Sequence, residues 1–258
     1  MPGINRSSLK NLMIPHNRLT LGVEESEAAK RAIESGWLAQ GREVRAFENE
    51  LCAFLGLPDG HAVTVSSGTA ALFLALWVLD AAGCGVGCPV YGCSALTNAI
   101  ALVGGRPILL DTERNSPNID LDALLRCDAN IVIVPHMFGL PVDLRTVAGK
   151  RVVEDCAQAL GVDLVDDNAA SPVRYRSIVR SKHPRSLIDE LRRRDVEAIV
   201  PVEDWELLGP AQDYPAALAF ARTTVSLPTY PSLSDDDMRH IVAALRELDF
   251  DRPISSVS

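Results

Sequence analysis

Hydrophobic positions along the first two-thirds of the chain switch between a helical period and short continuous runs. Glu24–Ser35 and Arg42–Gly56 carry the spacing of amphipathic helices. In the second, Val44, Phe47, Leu51, Phe54 and Leu55 make one stripe, and Gly56 suits a C-terminal cap. Ala62–Val65 ("AVTV"), Cys88–Tyr91 ("CPVY"), Arg106–Asp111, Asn130–His136 and Lys150–Asp155 read as strands. Helical segments separate them: Ala70–Ala82, Ser94–Gly105 and Asp120–Cys127. Apolar strands divided by helices predict a parallel sheet covered on both faces. Beyond the polar stretch Asp163–Val173, which contains Pro172, the texture changes. "RYRSIV" and "VEAIVPV" read as strands, and "PRSLIDELRRRD", "YPAALAFAR" and "SDDDMRHIVAALREL" as helices, the last with Ser234 as its cap. The expectation is an α/β protein with a three-layer α/β/α large domain over residues 1–165. A junction at 166–173 and a small α+β domain at 174–258 follow it.

Composition narrows the function without naming it. The 258 residues carry a net charge of −9. An acidic chain lacking a dense basic tract is a poor nucleic-acid binder, because phosphate contacts need clustered Lys and Arg. The most basic stretch, Arg185–Asp195, reads as a solvated helix face. Ala70–Leu79, the longest apolar run, is too short to span a bilayer, and the N-terminus has no apolar signal core. A cytoplasmic location is expected, with no membrane or nucleic-acid partner. Cys84, Cys88 and Cys93 lie close together, but their spacing fits no zinc pair. No metal is expected, and these cysteines read as buried small apolar residues.

Two motifs point to chemistry. "VSSGTAAL" (Val65–Leu72) is a strand, a turn of small residues and a helix start. Free N–H groups there favour an anion, Gly68 lets it approach, and Ser67 and Thr69 offer hydroxyls. "VVEDCAQAL" sets Asp155 and Gln158 just past a buried strand, where side chains reach the crevice of a parallel sheet. Each motif taken alone is equally a helix cap.

Together with "GWLAQGREVRAFENEL", "NSPNIDLDAL", "IVPHMFGLPVDL" and "VSLPTYPSLSDDDMRHIVAALREL", in this order, these motifs closely resemble the DegT/StrS family of sugar aminotransferases. Those enzymes use pyridoxal phosphate (PLP). The resemblance implies a fold-type I architecture, usually dimeric, acting on nucleotide-linked keto sugars. It assigns Ser67, Gly68 and Thr69 to the cofactor phosphate, Asp155 to the pyridine nitrogen and Gln158 to the ring hydroxyl. It puts Cys93, not an aromatic residue, at the ring-stacking position, with Tyr91 out of phase. The segment that carries the aldimine lysine in the family is missing after Gly161. The four lysines, Lys10, Lys30, Lys150 and Lys182, stand elsewhere.

Losing two central strands leaves two outcomes. Either "AVTV" closes onto "KRVVE" at one strand spacing, about 4.8 Å, giving a sheet of about five strands, or a gap stays open. Closure is the expectation. Three functions follow: a lysine-free homologue that binds a nucleotide sugar or another anion without covalent PLP; a non-catalytic subunit, as homodimer or paired with a full-length relative; or an enzyme using other groups, with His136, Asp155, Cys93 and Tyr91 near the crevice. The family label would be aminotransferase, and the lysine is what puts that activity in question.

Overall fold

The computed structural model describes residues 13–161 and 175–248. Within them a four-stranded, all-parallel sheet has the order β2-β1-β3-β4: β1 Gly85–Pro89, β2 Arg106–Leu110, β3 Ile131–Pro135 and β4 Arg151–Asp155. Helices α3 (Gly68–Val78) and α4 (Ala95–Leu102) cover one face, with Leu72, Leu76, Leu96 and Ile100 packed on Val86, Ile131 and Ile133. Helix α5 (Leu121–Arg126) covers the other, where Ile119 and Leu124 meet Val132 and Val134. This is the expected α/β/α layering.

The sheet has four strands, not about five. Ala62–Val65 has no strand pairing, and Val63 is 74% exposed. The Thr64 amide donates to the Glu48 carboxylate at 2.7 Å instead of to β4. The expected closure is therefore absent. A strand needs a neighbour to satisfy its backbone, and no described strand pairs with this segment. Helices α1 (Val23–Glu34) and α2 (Arg42–Phe54) lie in the same exposed region. Among their described residues only Cys52 is buried, and the predicted α2 stripe faces solvent, with Phe54 at 65% exposure.

The C-terminal part pairs β5 (Ser177–Arg180) antiparallel with β6 (Thr224–Leu227). Helices α6 (Pro184–Arg193) and α8 (Asp235–Arg246) pack on it through Leu187, Ile188, Leu191 and Ile241. Ser234 caps α8, accepting from the Asp237 amide at 3.1 Å, as expected. "VEAIVPV" is not a continuous strand. It makes single bridges, Val196 to Ile14 and Ile199 to Ser226, so the chain's Ile14 joins this core. The expected junction at 166–173 lies outside the described residues.

Helix α7 (Pro215–Ala221) ties the two parts together. Asp111, just past β2, accepts from the Ala216 and Ala217 amides at 3.0 and 2.8 Å. Phe220 then enters a cluster with Tyr91 and Phe138 from the carboxyl end of the sheet. This contact closes one side of the crevice.

Candidate functional site

Strands β3 and β4 end side by side, and their last residues turn into the crevice. Past β3, the segment Met137–Gly139 makes one 3-10 turn in which Phe138 adopts a left-handed backbone (φ 60°). Its amide donates to Gln158 Oε1 at 2.7 Å, and the Met137 amide donates to Asn118 Oδ1 at 2.9 Å. Past β4, Asp155 Oδ1 accepts from the Ala157 amide at 3.0 Å.

Cys93, Asp155 and Gln158 line one small cavity of about 80 Å³ with His136 and Met137. Cys93 and Gln158 also line a wider cleft of about 440 Å³, together with Phe138, Arg176, Val202 and Glu206. Three residues singled out from sequence are thus brought together. Ser67, Gly68 and Thr69 line neither cavity. Ser67 caps α3, accepting from the Ala70 amide at 3.2 Å, and the approach to Gly68 is open, with nothing within 4 Å of an added Cβ.

Tyr91 is buried away from this cavity, edge-on to Phe220 at 5.4 Å and to Phe138 at 6.1 Å. Burial pushes its hydroxyl far above the ordinary phenol range. It lines neither crevice cavity. Of the three cysteines read as buried apolar residues, Cys88 fits: burial pushes its thiol up to about 12. Cys93 does not, because it is exposed at the cavity mouth.

His136 is structural. The Val142 amide donates to Nδ1 at 2.9 Å, which fixes the proton on Nε2, and Nε2 donates to Glu154 at 2.7 Å. Its Nε2, a Glu154 oxygen and the Cys156 sulfur lie within 4.8 Å of one another. A metal there would need the Nε2 lone pair and would move the proton to Nδ1, against the Val142 N–H. Metal-bound histidines donate their second N–H to an acceptor, and here that position faces a donor.

Sequence reasoning missed a second cleft of about 550 Å³. His16, Tyr175, Arg176, Thr229 and Tyr230 line it, and Arg176 also forms part of the first cleft. Its one sequence signal was an arginine beside Tyr175 within the strand-like "RYRSIV".

A crevice at the carboxyl ends of a parallel sheet, roofed by a small α+β unit, defines a PLP-transferase-type scaffold. The chain belongs to the DegT/DnrJ/EryC1/StrS aminotransferase family, whose model matches residues 20–174. It is 35% identical over 164 residues to the spore coat polysaccharide biosynthesis protein SpsC of Bacillus subtilis (strain 168), covering 58% of this chain and 41% of SpsC. The match therefore spans less than half the length of that relative. In fold it is similar to the putative sugar aminotransferase Spr1654 from Streptococcus pneumoniae in its apo form. There the TM-score is 0.80 at 16% identity, covering 91% of this chain and 97% of that one. DesV from S. venezuelae, in complex with a ketimine intermediate, gives 0.76 at 20% identity, covering 87% and 94%. At these identities the structural likeness establishes the fold.

The residues present fit PLP incompletely. The cavity that Asp155 and Gln158 share is far below the roughly 300 Å³ that small-molecule sites start from. Cys93, which also lines it, offers a thiol and no ring to stack on, and Ser67, Gly68 and Thr69 line no part of it.

Proposed function

We propose that this chain is a member of the sugar-aminotransferase family without the aldimine lysine, acting in the cytoplasm in nucleotide-sugar or polysaccharide biosynthesis. It does not transaminate by itself and holds no PLP covalently. One observation carries this reading: none of the three lysines among the described residues lines the crevice. Lys30 sits on α1, 3.9 Å from Glu27. Lys150 spends two of its donors on the Cys127 and Ala129 carbonyls, each at 2.8 Å. Lys182 lines a different cleft, beside Arg180 and Thr223. Transamination needs an amine that both anchors the cofactor and shuttles the proton, and none of the described lysines is placed for either. PLP titration followed by borohydride reduction tests this. The expected result is no reduced adduct by mass spectrometry, and an adduct on any lysine near the crevice refutes it.

A second reading has its own support. Ile33, Trp37, Phe47, Phe54, Val63, Trp77 and Val78 are exposed apolar side chains on or between α1, α2 and α3. Large apolar patches mark protein interfaces. This favours a non-catalytic subunit, either as a homodimer or paired with a full-length relative. Size-exclusion chromatography after co-expression with such a relative tests it, and separate elution of the two proteins counts against it. The alternative of an enzyme using His136, Asp155, Cys93 and Tyr91 is weakened by the buried Tyr91 and the doubly bonded His136.

A further inference from the structure

Among the described residues, the non-glycine positions with positive φ are Asp80, Asn115, Asp195 and Phe138. Asp and Asn adopt this region readily, whereas a bulky ring does so only where its surroundings hold it there. What holds Phe138 is Asn118, from the connection between β2 and α5. Its Oδ1 accepts from the Met137 amide at 2.9 Å, and its Nδ2 donates to the Leu140 carbonyl at 3.0 Å, so one side chain spans the turn. One partner can only donate and the other only accept, which settles the orientation of the Asn118 amide. Asn118 is itself held firmly. It is buried, its carbonyl accepts from the Glu113 amide at 3.0 Å, and its own amide donates to Ser116 Oγ at 3.2 Å.

We propose that Asn118, which lines neither crevice cavity, is the positioning residue of the crevice. By clamping the turn at Met137–Leu140 it sets the walls formed by Met137 and Phe138, and it decides which group Gln158 turns to the Asp155 cavity. The proposal rests on the function proposed above only in taking this crevice as the site.

The line of contacts is short. Met137 lines both cavities, and Phe138 lines the wider one. The Phe138 ring meets Tyr91 edge-on at 6.1 Å, and the Arg176 guanidinium carbon lies 5.7 Å from its centroid. The Phe138 amide donates to Gln158 Oε1 at 2.7 Å. With that oxygen taken, Gln158 keeps its two N–H donors for an acceptor in the cavity. The preference lasts while the turn holds the Phe138 amide in place. Asn118 thus reaches Gln158 through the backbone of the turn, to which both side chains bond.

Cys93 reports on this geometry, because it is exposed and lines both cavities; Cys88, buried in β1, is the control for global opening. The full chain is treated with iodoacetamide under native conditions, and alkylation of each cysteine is followed by mass spectrometry. Asn118→Asp keeps an acceptor for the Met137 amide and sets a second oxygen against the Leu140 carbonyl. The Cys93 rate should change about twofold or more, the smallest coupling expected of residues that share partners, with Cys88 no more reactive than before. Gln158→Ala should change the Cys93 rate too, and the double variant should fall short of the product of the two effects. A residue that only adds stability would leave Cys93 unchanged, or raise Cys93 and Cys88 together, or combine with Gln158→Ala as an independent factor. Any of these overturns the proposal. If Asn118→Asp does not fold, hydrogen exchange in the unsubstituted chain decides. Met137 and Phe138 amides protected like those of Val132 and Val134 support the clamp, and exchange as fast as in an open turn overturns it. A borohydride-reducible PLP adduct would refute the function proposed above without bearing on these rates.

Discussion

β3 and β4 are adjacent, parallel and five residues long, yet they occupy different environments. Every residue of β3 is buried, flanked by β1 and β4 and covered by both helical layers. None of β4 is. The Arg151 amide donates to the Asn130 carbonyl, and the Asp155 carbonyl accepts from the His136 amide, so the odd residues face β3. By the pleat, the N–H and C=O groups of Val152 and Glu154 point away from the sheet. The difference teaches where the fold stops. Among the described residues the sheet ends at β4, the strand that carries Asp155, and no further strand pairs with its outer edge. An open edge of this kind is what proteins ordinarily cover or pair.

The sharpest way to break the comparison is to remove volume from each strand in turn. Ile133→Ala, in the fully buried strand, should cost about 2–5 kcal/mol, as cavity-forming core substitutions do. Val153→Ala removes fewer carbons from a half-buried site and should cost about 1 kcal/mol. Urea unfolding of both variants measures this. Equal losses would mean that β4 is covered in solution by a partner or a second copy. Hydrogen exchange adds detail: the Val152 and Glu154 amides should exchange far faster than those of Val132 and Val134. Protection at Val152 and Glu154 would again point to a paired edge.

How much of this was legible in the sequence follows the same divide. β2, β3 and β4 were readable because their apolar runs are continuous and bounded by turns. β1 was placed late, since Gly85 and Gly87 at its start have poor strand propensity and hide it. Ala62–Val65 has a strand's composition and no strand's environment, and composition alone could not show that its neighbours are missing. "VEAIVPV" misled for the same reason, making single bridges where a ladder was expected. Within the site, Asp155 and Gln158 were found because motif and topology agreed, Cys93 through the family resemblance, and His136 by its place after a strand. Arg176, Tyr230 and His16 come from three distant segments, and only folding brings them to one cleft.

The smallest expected effect probes the C-terminal side of the comparison, where His16 from the N-terminal segment meets Arg176. Burial is the main cause that lowers the His16 pKa from its ordinary 6.5; the Arg176 charge adds to it, and Glu197 partly opposes it. In the unfolded chain this histidine takes up a proton as pH falls through about 6.5, whereas the folded chain resists until lower pH. The unfolded state then binds more protons, so stability falls as pH drops through that window. Above it, His16 is neutral in both states and contributes no slope. His16→Asn should therefore leave the unfolding free energy nearly flat just below pH 6.5, where the unsubstituted chain declines. Glu113, whose pKa burial raises, acts in a lower window and is common to both proteins, so it cancels in the difference.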